Sequence, residues 1–212
     1  MKLSKTSDTL EQFFAKGSGE KRLKQKAKIL DYEDRPKLAY WVAEGFVKVV
    51  SRGTNGEERI NYIYGPGDLF PIRWIFRKDQ LSVAFYAFTD VVLRTQPIKK
   101  LEAYFIEEPN SMERIVNEQI NVIETIYIAN IASAEARIAH RLRMLALNFG
   151  SKRGDQMAID LPINIQEFAE LVGLSRETTG KVLAKFEREG MVILGRHQIL
   201  ACPDKLQMVL QP

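Results

Sequence analysis

Between residues 20 and about 100, apolar and polar positions alternate with a rough period of two. The run LAYWVAEGFVKVV (38–50) is rich in aromatic and β-branched side chains, the composition of a strand. RGTNGEER (52–59) follows with the Asn55-Gly56 pair of a tight hairpin turn, INYIY resumes the strand, and GPGD (65–68) ends it. A short helix around Asp8 to Ala15, closed by GSG, precedes this region. Short strands punctuated in this way predict a sandwich or small barrel.

The period changes after Pro109. Met112, Val116, Ile120, Ile123, Tyr127 and Ile131 recur at steps of three and four and line one stripe of a long helix, with Glu113, Asn117 and Glu124 on its other faces. The stripe either packs on the β region or forms a two-helix seam. Its a/d spacing favours a homodimer joined at Val116, Ile120, Ile123 and Tyr127. A second helix, about Glu135 to Phe149, ends at Gly150, and GSKRGDQ (150–156) reads as a polar loop before the last domain. The expected division is 1–108 for the β domain, 109–134 for the dimer helix and 135–212 for a C-terminal domain.

That last domain has the clearest pattern. In INIQEFAELVGLSRETTGKVLAKFEREGMVILGRHQILACP, Phe168, Ala169 and Val172 form the inward face of one helix. Ala169 is small enough for a second helix to cross closely, Gly173 suits a left-handed turn, Leu174 fills the angle, and Ser175 is an N-cap. The second helix buries Val182, Leu183 and Phe186 and leaves Arg176, Glu177 and Lys181 on an exposed face near its start. Two short strands then place Arg196 and His197 at a wing tip. This is a winged helix-turn-helix, whose recognition helix reads base edges with its N-terminal residues. Arg and Lys donate to guanine, and Glu accepts from cytosine.

Composition narrows the alternatives. The chain has 212 residues, one cysteine (Cys202) and two histidines (His140 and His197), so it has no disulfide framework and no four-cysteine cluster, and no metal site is expected. A net charge of +4 permits a polyanionic partner. No apolar run approaches the roughly 20 residues of a membrane span, and the N-terminus lacks a signal-peptide core, so the expected location is the cytoplasm. No nucleophile–base pair is visible, so an enzyme is not expected.

On these residues the chain resembles the CRP/FNR family of bacterial transcription regulators. VGLSRETTGKVLAKFEREGMV is similar to the family's recognition helix, SAEARIAHRLRMLA to the segment before it, and VAEGFVKVVSRGTNGEERINYIYGPGDLF to its cyclic-nucleotide-binding β-roll. The resemblance implies an α+β chain with an N-terminal double-stranded β-roll, a long dimerisation helix and a C-terminal winged helix-turn-helix. It implies a homodimer on a palindrome resembling TGTGA-N6-TCACA, with Arg176, Glu177 and Lys181 reading bases. Ser175, Thr178, Arg196 and His197 approach the backbone. Lys181 departs from the arginine usual in the catabolite-activator branch and lacks its planar fork. NFGSKRGDQ occupies the place where family activators touch RNA polymerase, a further expected partner.

The nucleotide pocket departs more sharply. Where cyclic-nucleotide binders carry a Glu after the glycine turn and then an Arg-Ser-Ala for the phosphate, this chain has Asp68 and Leu81-Ser82-Val83. Leucine cannot neutralise a phosphate, and Val122 and Ile123 stand where the family activator offers hydroxyls to adenine. Cyclic AMP in the usual pose is therefore not expected. No cofactor is expected, and a different small-molecule effector stays open, with Asp68, Arg73, Trp74 and Ser82 as the pocket residues. The reading preferred over a rebuilt pocket is that the aromatic rings fill the roll. From another functional class, the alternative is a small-molecule sensor or protein-interaction scaffold whose winged helix does not bind DNA.

Overall fold

The computed structural model describes residues 6–16, 19–53, 56–77, 79–113, 115–117, 119–120, 123, 133–195 and 198–210. The chain divides after residue 120 into two compact units.

The first unit opens with helix α1 (Thr6–Ala15) and continues through strands β1 (Gly19–Leu23), β2 (Lys28–Leu30), β3 (Leu38–Glu44), β4 (Val47–Arg52), β5 (Glu58–Tyr64) and β6 (Leu69–Phe70). Helix α2 (Ile72–Arg77), strands β7 (Ala84–Ala87) and β8 (Val91–Pro97) and helix α3 (Ile98–Glu107) follow. The strands form two four-stranded antiparallel sheets, ordered β1-β8-β3-β6 and β2-β7-β4-β5. This is the expected β-roll.

Strand β3 shows why the first sheet has helices on one side. Successive strand side chains point to opposite faces. Tyr40 and Val42 join the core between the sheets, with Phe70, Phe85 and Leu93. Ala39 and Trp41 point the other way, into a second core with Leu10 and Phe14 of α1 and Leu101 and Phe105 of α3. Both faces are buried, so the strand reads as nearly continuous apolar sequence instead of strict alternation. The outer strand β1 carries exposed charged residues, which discourages pairing with another chain. At the β3–β4 turn Gly45 has φ 78°, and a Cβ there would lie 2.1 Å from the Asp90 carbonyl oxygen, so only glycine fits.

The expected hairpin between β4 and β5 is present, closed by Gly53 N–H donating to the Glu57 carbonyl at 2.8 Å; Asn55 lies outside the described residues. Residues 111–113, 115–117, 119–120 and 123 are helical. Within the predicted stripe Met112 departs: together with Ile115 it packs into the helix-side core of the β unit. Val116, Ile120 and Ile123 are exposed. Tyr127 lies outside the described residues.

The second unit contains α4 (Ala134–Phe149), β9 (Gly150–Arg153), β10 (Gln156–Ile159), α5 (Ile165–Val172), α6 (Arg176–Arg188), β11 (Val192–Leu194), β12 (Ile199–Ala201) and α7 (Pro203–Met208). Ile138, Leu142 and Leu145 of α4 form a buried stripe at helical spacing. The predicted polar loop 150–156 is instead largely part of a β-hairpin that turns at Gly154 (φ 61°), and β10 pairs on its other side with β12. Ladder hydrogen bonds hold β9 in place although its side chains are largely exposed, so hydrophobic pattern gave no sign of a strand there. Among the described residues, no helix is long and apolar enough to cross a membrane.

His140 is buried within α4. Loss of hydration, followed by the nearby Arg141 and Arg143 charges, pushes its imidazole down from 6.5 to about 4. The unfolded chain therefore binds a proton at this position at a higher pH than the folded chain does, and stability falls as pH drops from about 6.5 to about 4. Urea midpoints measured across that window should decline in the parent chain, and His140→Leu should show a shallower decline.

Candidate nucleic-acid interface

The recognition element is assembled from local signals first. Asn164 caps α5 in a capping box, accepting from the Glu167 backbone N–H at 2.9 Å while the Glu167 carboxylate accepts from the Asn164 N–H at 3.1 Å. The helix ends at Gly173 in the left-handed conformation, φ 66° and ψ 39°. Ser175 then caps α6, its hydroxyl oxygen accepting from the Thr178 N–H at 3.1 Å and its O–H donating to the Thr178 hydroxyl at 2.8 Å. Both hydroxyls expected near DNA phosphates thus also fix the first turn of the helix.

Longer-range contacts hold this pair of helices on α4. Arg137 Nη1 donates to the Gly173 carbonyl and Arg141 Nη2 to the Leu171 carbonyl, each at 3.3 Å, satisfying acceptors at the C-terminal end of α5. At the other end of α6, the Lys185 ammonium meets both carboxylate oxygens of Glu135, at 2.8 and 2.7 Å. That hydrogen bond raises the Lys185 pKa above its ordinary value. Phe168, Ala169, Val172, Val182, Leu183 and Phe186 are buried, as the sequence predicts for the inward faces.

The opposite face of α6 begins with Arg176, Glu177 and Lys181, all exposed. Lys181 Nζ lies 2.6 Å from Glu177 Oε1, one helical turn away. Arg176 makes no side-chain hydrogen bond or ion pair among the described residues. Gly180 shares this face, one turn after Arg176, and a Cβ at that position would meet nothing within 4 Å. The chain's own packing therefore gives no reason for glycine in the middle of this helix, where it costs roughly 0.5–1 kcal/mol relative to alanine. The wing turn is closed by Gly195 N–H donating to the Gln198 carbonyl at 2.9 Å; Arg196 and His197 lie outside the described residues.

In the β-roll, the residues read as an effector pocket serve mostly as structure. The Asp68 carboxylate accepts from the Gly65 N–H at 2.7 Å, closing its own turn. Trp74 is buried, and its indole N–H donates to the Gln80 carbonyl at 2.7 Å. The Arg73 guanidinium sits 5.1 Å from the Trp74 ring centroid and 3.7 Å from Asp79. Ser82 is exposed. Leu81, where the resemblance led to the expectation of no phosphate-binding arginine, is buried in the core between the sheets. There Phe70 stacks at 5.2 Å on Tyr40, 5.5 Å on Tyr64 and 5.1 Å on Phe85.

Sequence reasoning missed the Glu135–Lys185 tether, the two arginine struts and Gly180. It also passed over the capping box, although Asn-x-x-Glu ahead of an apolar run is a signal that could have found it; the others join residues 30 to 50 positions apart or depend on empty space.

Comparison with known proteins agrees with this geometry. A family model described as a cyclic nucleotide-binding domain matches residues 20–108, and one described as a Crp-like helix-turn-helix domain matches residues 136–209. A CRP-like cAMP-activated global transcriptional regulator of Mycobacterium tuberculosis is 27% identical over 176 residues, covering 79% of this chain and 77% of that one. A global nitrogen regulator of Synechococcus elongatus is 26% identical over 213 residues, covering 93% and 94%. Among solved structures, FixK2 of Bradyrhizobium japonicum superposes with a TM-score of 0.77 at 17% identity, covering 92% of this chain and 98% of that chain. A CooA mutant of Carboxydothermus hydrogenoformans gives 0.72 at 21% identity, covering 92% and 88%.

Gly180→Ala separates folding from surface function. It should raise the unfolding free energy by roughly 0.5–1 kcal/mol in urea titration. The added methyl should also weaken specific DNA binding several-fold in a fluorescence-anisotropy titration. Unchanged DNA affinity would place Gly180 away from the DNA.

Proposed function

Because the chain belongs to the CRP/FNR family of transcription regulators, whose members are not enzymes, we propose that it acts as a homodimer reading a palindromic site resembling TGTGA-N6-TCACA. The observation that carries this reading is the exposed start of α6, where Arg176, Glu177 and Lys181 share one face while Thr179, Val182, Leu183 and Phe186 are buried on the other. Arg176 reads guanine, Glu177 accepts from cytosine, and Lys181 donates to the next base as a single point charge. Thr178, with the wing residues Arg196 and His197, approaches phosphates. The exposed side chains of β9 and the turn after it, residues 151–155, are the surface offered to RNA polymerase, and the cytoplasm is the location this work requires.

Two chains are needed to place two such helices about 34 Å apart, one turn of DNA. Val116, Ile120 and Ile123 support the dimer: they are 50%, 45% and 64% exposed, an unusual state for three apolar side chains at helical spacing.

The effector, on this reading, is not cyclic AMP in its usual pose. The buried Leu81 offers a phosphate no charge, the Asp68 carboxylate serves its own turn, and stacked rings occupy the space between the sheets. A buried phosphate without a cationic partner would be strongly disfavoured.

Arg176→Ala should weaken binding to the selected site by about 1–3 kcal/mol and relax preference at one base pair, as measured by binding-site selection followed by anisotropy. Selection of an unrelated motif by the parent chain would overturn the proposed half-site. Ile123→Asp should shift the protein from dimer towards monomer in sedimentation velocity, and a fully dimeric variant would remove Ile123 from the seam.

A further inference from the structure

Strand β11 is the outer strand of its sheet, ordered β11-β12-β10-β9, so backbone groups on its free side have no strand to pair with. On that side the Leu194 N–H donates to Glu187 Oε1 at 3.0 Å, across seven residues of sequence. Glu187 is exposed and lies in the last turn of α6. A carboxylate there faces the negative end of the helix dipole, so the helix alone disfavours it. The bond to the wing strand is what this side chain does in the fold.

The two ends of β11 are held differently. At its start Val192 is fully buried, and the Met191 N–H donates to the Phe186 carbonyl at 2.9 Å. The Cys202 N–H donates to the Met191 carbonyl at 2.8 Å, and Lys205 Nζ of α7 donates to the Gly190 carbonyl at 3.0 Å. At the far end Ile193 is 48% exposed and Leu194 is only half-buried. Among the described residues, one side-chain bond, from Glu187, ties that end to α6. Losing it would free the end of the wing strand without unhinging its start.

We infer that Glu187 is a positioning residue for DNA binding. It fixes the wing against the helix that carries Arg176, Glu177 and Lys181. Phosphate contacts from the wing and base contacts from the helix then keep one register. The inference rests on the reading above that the wing approaches phosphates. Glu187 itself, negative and committed to Leu194, makes no phosphate contact.

Two substitutions isolate the tether from the charge. Glu187→Gln and Glu187→Ala both remove the negative charge, but only glutamine keeps a side-chain oxygen for the Leu194 N–H. Alanine is the better helix former, so α6 itself is not weakened by it. In anisotropy titrations on the site selected by the parent chain, Glu187→Ala should bind roughly three- to tenfold more weakly than Glu187→Gln, the scale of one hydrogen bond. Its dependence of log affinity on log salt should be shallower by about 0.9, one phosphate contact. A loss of stability alone would leave that slope in place. The selected half-site should be the same for both variants. Arg196→Gln checks the premise: it should flatten the slope by a similar amount, and adding Glu187→Ala to it should weaken binding little further. An unchanged slope in Arg196→Gln would overturn the wing reading and the inference with it. A flattened slope in Arg196→Gln, with Glu187→Ala and Glu187→Gln indistinguishable, would overturn the inference alone.

Discussion

The exposed start of α6 is usable because the other side of that helix is wholly committed. Phe186 is fully buried, Val182 and Leu183 pack beside it, and Lys185 is held by both oxygens of Glu135. The Glu135–Lys185 pair is about two-fifths exposed at each end, so its direct contribution to stability is small. Its value is positional. Together with the Arg137 and Arg141 struts to the end of α5, it fixes the direction in which Arg176 and Glu177 project. A helix free to roll would present the same residues in many orientations and read none of them well.

The chain declares its short-range devices openly. Gly173 and Ser175 lie within a few residues of the turns and caps they form, and local chemistry is enough to recognise them. The struts are different. Arg141 and Leu171 are 30 residues apart, and nothing in the spacing of either links them. The same distinction explains the hairpin at 150–159, whose first strand is held by ladder bonds and not by a buried face. It also explains Met112, which keeps helical spacing with Val116 yet packs into the β unit. Periodicity shows that a residue lies on a stripe, but not what the stripe meets.

The β-roll is filled between its sheets by its own side chains. Where the cyclic-nucleotide binders this chain resembles carry an arginine, Leu81 brings no charge that would be costly to bury unpaired and supplies apolar volume. Leu81 joins Tyr40, Phe70 and Phe85 in the core between the sheets. The sequence shows a leucine at residue 81 directly. The packing around it is visible only in three dimensions, because the rings that fill the space come from β3, β5, β6 and β7.

If Glu177 and Lys181 read bases as proposed, their ion pair bears on how α6 meets DNA. In the free chain the two residues neutralise each other across one turn, at 2.6 Å, with both side chains about three-quarters exposed. Exposed pairs at this spacing contribute about 0.3–0.5 kcal/mol. A good bidentate base contact contributes about 1–3 kcal/mol of discrimination. Exchanging the internal pair for base edges is therefore favourable if either residue finds a matching base, and it leaves two buried unpaired charges if neither does. On the proposed reading the pair would add little to affinity and more to rejection of wrong sites. Lysine suits this arrangement: its ammonium is a compact point charge on a flexible stem, able to swing from Glu177 to a base, whereas the rigid fork of arginine would fix the geometry more tightly.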